Sequence, residues 1–247
     1  WLAYLFAVVL ILTYMGGFNL LASYNVADAF THYSWANWTT PWIIGGILAV
    51  LMAASILGGT RRLTEVTGYM VPIMAIIYLG VGAVVIAVNY RNIPAMFSAI
   101  FSGAFDFESI FGGFAGSAMM YGIKRGLYSN EAGVGSAPNA AASASVSHPA
   151  KQGLVQMLSV FIDTMIICTF TAFVVLSSGV GDDNGTTGAP LVKDAMATVL
   201  GQPVAQVFIS TALFLFAFTT LVGNFYYAEV NFRFLLGKIE IQHWMLT

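Results

Sequence analysis

Long runs without a single charged residue constrain this chain more than any other feature. They cover 1–27, 43–58, 66–90, 152–162, 164–181 and 195–228. A spanning helix needs roughly 18 or more apolar residues, and several of these runs exceed that. Only 8% of the 247 residues are charged and 58% are hydrophobic, whereas soluble domains carry about 25% charged residues. The hydrocarbon core offers no water to backbone groups, so runs of this length cross it as helices that bond internally. The fold class predicted is an all-α polytopic membrane protein.

About six passes are predicted, at about 2–26, 42–58, 66–90, 113–147, 152–179 and 203–229. The fourth is a broken element. Connection 59–65, with Gly58-Gly59-Thr60-Arg61-Arg62, is read as a short basic turn. Connection 91–112 is longer, and its Met96–Phe105 part is read as a short interfacial helix. Connection 180–201, with Gly181-Asp182-Asp183-Asn184-Gly185, is read as a flexible acidic loop. Alternating sides puts Arg61, Arg62, Lys151, Arg233 and Lys238 on one face. The other face receives only Arg91 and Lys193, with Asp28, Asp106, Glu108, Asp182, Asp183 and Asp194. The positive-inside rule then places the first residue and the C-terminal tail on the cytoplasmic side of the plasma (inner) membrane.

The break lies in Gly122-Ile-Lys-Arg-Gly-Leu-Tyr-Ser-Asn-Glu-Ala-Gly-Val-Gly-Ser-Ala-Pro138-Asn139. Irregular backbone at membrane depth persists where it lines a protein-enclosed cavity, and transporters build substrate sites in this way. Freed carbonyls suit Na⁺ or an ammonium group, and helix-end amides suit a carboxylate. A small zwitterion with a cation fits that chemistry. Glu131 and Asp163 are acids inside predicted spans, where a charge costs roughly 2.5–3.5 kcal/mol and needs a partner. Lys124 and Arg125 are the expected cationic partners. For Asp163, simple helix-locking pairing competes evenly with a functional role. For Glu229, at the end of the sixth span, pairing or solvation is the preferred reading. Gly112 to Gly116 are read as close-packing residues.

Phe216-Ala-Phe-Thr-Thr-Leu-Val-Gly-Asn224 is a second constellation. The Phe216 carbonyl with the Thr219 and Thr220 hydroxyls offers oxygen ligands to a hard monovalent cation, although such hydroxyls commonly bond back to their own helix. His32, His148 and His243 are too scattered for a metal cluster. The single Cys168 excludes an intrachain disulfide framework, and sequons at Asn37 and Asn184 are short enough to arise by chance. A net charge of -2 gives no reason to invoke nucleic acid. The opening on Trp1, without Met or a signal peptide, and the close at Thr247 suggest a fragment.

The stretch Gly122 to Pro138 resembles the signature of the alanine or glycine:cation symporter family. His148-Pro149-Ala-Lys-Gln152-Gly153, Phe161-Ile-Asp163-Thr164, and Phe216-Ala-Phe-Thr-Thr220 followed by Tyr226-Tyr227 resemble further family stretches in order. The likeness runs from about residue 1 to 235. It implies a place among the amino acid–polyamine–organocation transporters and a partial leucine-transporter-type fold of five plus five inverted helices. Residues 1–247 would then be a single membrane transport domain holding core helices three to eight, with one, two, nine and ten absent. Carried over by position, Ser129, Asn130, Glu131, Gly133, Gly135 and Ser136 would line the substrate site, joined by Asn19 and Asn224. Phe216, Thr219 and Thr220 would face sodium. Where the family often has Gly-Trp, this chain has Gly223-Asn224. It keeps Asn19 but has Ala22 and Tyr24 at later family positions. These departures point to a substrate preference other than plain alanine or glycine.

The function expected is symport of a small neutral amino acid coupled to Na⁺, with H⁺ as the alternative ion. No organic cofactor, covalent chemistry or obligate protein partner is expected beyond the amino acid and the lipid bilayer. A transporter-like sensor or channel is the competing class. An intramembrane enzyme built on Glu131 or Asp163 is disfavoured, because no nucleophile–base pair accompanies them.

Overall fold

The computed structural model describes residues 1–57, 59–104, 114–131, 133–142, 144–180 and 186–237. All secondary structure among them is helical. The helices are α1 (Leu2–Thr31), α2 (Thr40–Leu57), α3 (Gly59–Val88), α4 (Ile93–Ala104), α5 (Phe114–Ser129), α6 (Ser136–Ala142), α7 (Pro149–Ser178), α8 (Ala189–Leu200) and α9 (Gln202–Leu236). Five are long and apolar enough to cross a membrane: α1, α2, α7, α9 and the Thr67–Val88 part of α3. The chain is an integral membrane protein. Outward-facing apolar side chains fit that setting, with Leu5, Val9 and Leu12 of α1 exposed while Ala7, Leu10 and Tyr14 are buried.

The helices group into two compact units, residues 1–78 with 203 onward, and residues 79–202. In the first, α1 and α9 run antiparallel along their whole length. Tyr4 meets Phe234 with ring centroids 5.3 Å apart, Tyr14 meets Tyr227 at 5.2 Å, and Phe30 meets Phe214 at 6.4 Å. Beyond them the Tyr33 and Ser210 hydroxyls lie 2.7 Å apart. Residue 1 and the end of α9 therefore lie at one end of this pair. Val26, Ile44, Leu48, Ala217, Phe218, Leu221 and Val222 from α1, α2 and α9 form its core.

In the second unit three connecting pieces gather at the C-terminal end of α7. The Asn92 amide donates to the Ser177 carbonyl at 2.8 Å, and Phe97 of α4 meets Phe173 edge-on at 5.6 Å. Helix α8 packs on the same half of α7 and buries Ala195 and Met196 completely. Arg91 and Lys193 thus belong to one end of α7 and Lys151 to the other. His148 caps that other end, its Nδ1 accepting the Ala150 N–H at 3.1 Å, with Pro149 in the first turn.

Three sequence expectations change here. Residues 59–65 are the first turns of α3, not a turn between helices. Connection 180–201 contains α8, which begins at Ala189 with Pro190 in its first turn, a position that needs no N–H. Helix α1 continues to Thr31, and Asp28 sits 3.9 Å from His32 one turn on. The short helix expected at 96–105 is present as α4. Gly112, Gly113, Asp106, Glu108, Asp182, Asp183, Asn184, Lys238 and His243 lie outside the described residues, as do the side chains of Arg61 and Arg62.

Candidate functional site

The break falls within the motif that the sequence singles out. Helix α5 ends at Ser129 and α6 starts at Ser136. Between them Glu131 has φ 55°, and Gly133 and Gly135 have φ 80° and 105°. Glycine takes this left-handed backbone freely, whereas a non-glycine residue there costs on the order of 1–3 kcal/mol and is held by its surroundings. Helical bonding stops as the Glu131 N–H turns back to the Tyr128 carbonyl at 3.3 Å, and the Val134 N–H reaches Glu131 at 3.1 Å. Pro138 sits in the first turn of α6, where its missing N–H costs nothing. Lys124, Arg125 and Gly126 belong to α5 and stay helical.

Ser136 is buried, and its hydroxyl has no hydrogen-bond partner among the described residues. A buried polar group of this kind costs roughly 1–3 kcal/mol unless a ligand or water meets it. Asn139 donates from its amide to the Gly135 carbonyl at 2.7 Å and steadies the turn into α6.

The other side of the break meets α7. Ser129 Oγ donates to Asp163 Oδ2 at 2.7 Å and lies 3.2 Å from Cys168 Sγ. Asn130 Nδ2 donates to Thr164 Oγ1 at 3.3 Å. These α7 residues belong to a π turn, Ile162–Cys168. Among the described residues Asp163 forms no ion pair. The expectation that Lys124 or Arg125 would neutralise it is corrected: a hydroxyl from the break occupies the carboxylate.

Two further groups lie in the other unit. Asn224, 2% exposed, donates through Nδ2 to Asn19 Oδ1 at 2.8 Å. Ala22 packs against the α1–α2–α9 core, and Tyr24 is 66% exposed on α1. The Thr219 and Thr220 hydroxyls both donate to the Phe216 carbonyl at 2.9 Å. Three oxygens converge there, each hydroxyl in the back-bonded state that the sequence alone leaves open. The buried Glu229 is paired one turn on by Arg233, in line with its preferred reading. Sequence reasoning missed the link from Ser129 and Asn130 to α7, which joins residues 34 apart along the chain.

Residues 1–246 match the profile of the sodium:alanine symporter family. The chain belongs to that family. It is 40% identical over 235 residues to the probable sodium/glutamine symporter GlnT of Bacillus subtilis, covering 95% of this chain and 48% of that protein. It is 41% identical over 235 residues to the amino-acid carrier protein AlsT of the same organism, covering 95% and 49%. With the sodium/alanine symporter AgcS of Methanococcus maripaludis it shares 39% identity over 227 residues, covering 91% and 49%. The chain spans about half the length of these relatives.

Proposed function

We propose that the protein takes up a small neutral amino acid by symport with Na⁺, cycling by alternating access. The observation that carries this reading is the break between α5 and α6, with left-handed Glu131 and a buried Ser136 hydroxyl that no group among the described residues meets. A zwitterion answers to such a site. Helix-end amides and hydroxyls receive its carboxylate, while turn carbonyls and the Glu131 side chain receive its ammonium. Ser129, Asn130, Gly133 and Gly135 complete the lining, and the family resemblance assigns Asn19 and Asn224 to substrate as well.

Sodium is the co-substrate. The Phe216 carbonyl with the Thr219 and Thr220 hydroxyls fits it chemically, since hydroxyls that donate to a carbonyl also present lone pairs to a hard cation. H⁺ is the alternative ion. A relative from Bacillus, 38% identical, is named a sodium/proton-dependent alanine carrier. The chain holds core helices three to eight of a leucine-transporter-type inverted repeat, in the plasma membrane, with both ends cytoplasmic. It performs no covalent chemistry and needs no obligate protein partner.

The test is radiolabelled alanine uptake into proteoliposomes by the complete protein, with and without an inward Na⁺ gradient. Accumulation should require the gradient, Thr219→Ala should raise the Na⁺ concentration needed, and Glu131→Gln should weaken alanine binding. Alanine that equilibrates but is never concentrated would instead indicate a channel, and binding without uptake a sensor.

A further inference from the structure

Asp163 is the one charged residue between Gln152 and Ser178 of α7. A charge in an apolar span has to be met by a partner. Here no cation among the described residues meets it; the Ser129 hydroxyl does, at 2.7 Å. The π turn makes this possible. Bonding from i to i+5 brings residues five apart, Asp163 and Cys168, onto one face. Ser129 Oγ sits between them, 2.7 Å from one and 3.2 Å from the other. The next residue, Asn130, reaches Thr164 in the same turn at 3.3 Å. Immediately afterwards the backbone turns left-handed at Glu131, and again at Gly133 and Gly135.

We propose that Asp163 is a positioning residue: acting through Ser129, it seats the α5 end of the break on the π turn of α7. Asp163 acts as a hydrogen-bond acceptor rather than as a ligand of ion or substrate. The inference rests on the transport reading for its activity readout, but the seat has a readout of its own.

Two experiments on the complete protein test it, with any cysteine outside residues 1–247 replaced by serine. Ser129→Cys places a thiol beside native Cys168. Mild oxidation should link the two, seen as loss of maleimide-polyethylene-glycol labelling. A pair that does not link overturns the proposal. Asp163→Asn keeps a carbonyl acceptor and removes the charge, whereas Asp163→Ala removes both. At equal membrane abundance, Asp163→Ala should raise the half-saturating alanine concentration about tenfold and Asp163→Asn less than about threefold. An Asn variant as impaired as the Ala variant would make the charge itself the requirement and overturn the positioning role. If the unaltered protein takes up no alanine, the transport reading fails and the cross-link alone decides the seat.

Discussion

Asn224 is a buried amide held by one partner, Asn19. Its amide donates to the Asn19 side-chain carbonyl through a 2.8 Å bond. Asn224→Ala leaves the Asn19 carbonyl without its donor, and a buried group stripped in this way costs about 1–3 kcal/mol. The expected result is a lower midpoint of thermal unfolding in detergent. Adding Asn19→Ala should cost less than its effect alone, because partners in one bond are not additive. If the proposed assignment of Asn224 to substrate holds, competition assays should rank small apolar amino acids higher in N224W than in the unaltered protein. An unchanged ranking would detach position 224 from substrate choice.

Close packing decides matters between elements. A Cβ on Gly82 of α3 would come within 2.4 Å of the Phe170 ring and 3.0 Å of Val174, both on α7. Contact this close is how helices in lipid bind one another, since small residues let neighbouring chains approach. Gly82→Ala forces the ring aside and is expected to cost about 1–3 kcal/mol, as overpacked cores do. Gly80, with open space around its Cβ position, is the control, and Gly80→Ala should leave the unfolding midpoint close to that of the unaltered protein. Equal midpoints for the two variants would contradict the packing. The elements themselves were legible to different degrees. Long apolar runs mark α1, α2, α7 and α9, because hydropathy over twenty positions leaves little choice, although α1 and α9 continue to Thr31 and Leu236, past the expected ends at 26 and 229. Helix α8 was not legible: its run is short, follows an acidic stretch of sequence, and packs on α7. Both π turns, Thr13–Phe18 and Ile162–Cys168, are equally silent in sequence.

For the molecule as a whole, the sidedness inferred from charge is decided by labelling. The chain's first residue and the end of α9 lie together, and Arg91 and Lys193 belong to one end of α7 with Lys151 at the other. With Cys168 replaced by serine, single cysteines at Lys151 and Lys193 should react with a membrane-impermeant maleimide from opposite faces, Lys151→Cys from the cytoplasm. Labelling of both from one face would overturn the topology.

Sequence alone determined the membrane setting, the positions of the long spans and the place of the break, since each follows from local chemistry: uncharged length, and glycine, proline and polar residues where a helix must stop. It also carried the family, through a contiguous motif. Tertiary structure decided the partners. Lys124 and Arg125 lie close to Glu131 in the chain and were the natural counterions for the acids. Yet Asp163 is met by Ser129, because a π turn 34 residues away rotates it toward the end of α5. The Thr219 and Thr220 hydroxyls were ambiguous for the same reason. An oxygen's partner depends on which atoms lie within three ångströms, and that distance is set by helix register and packing rather than by residue type.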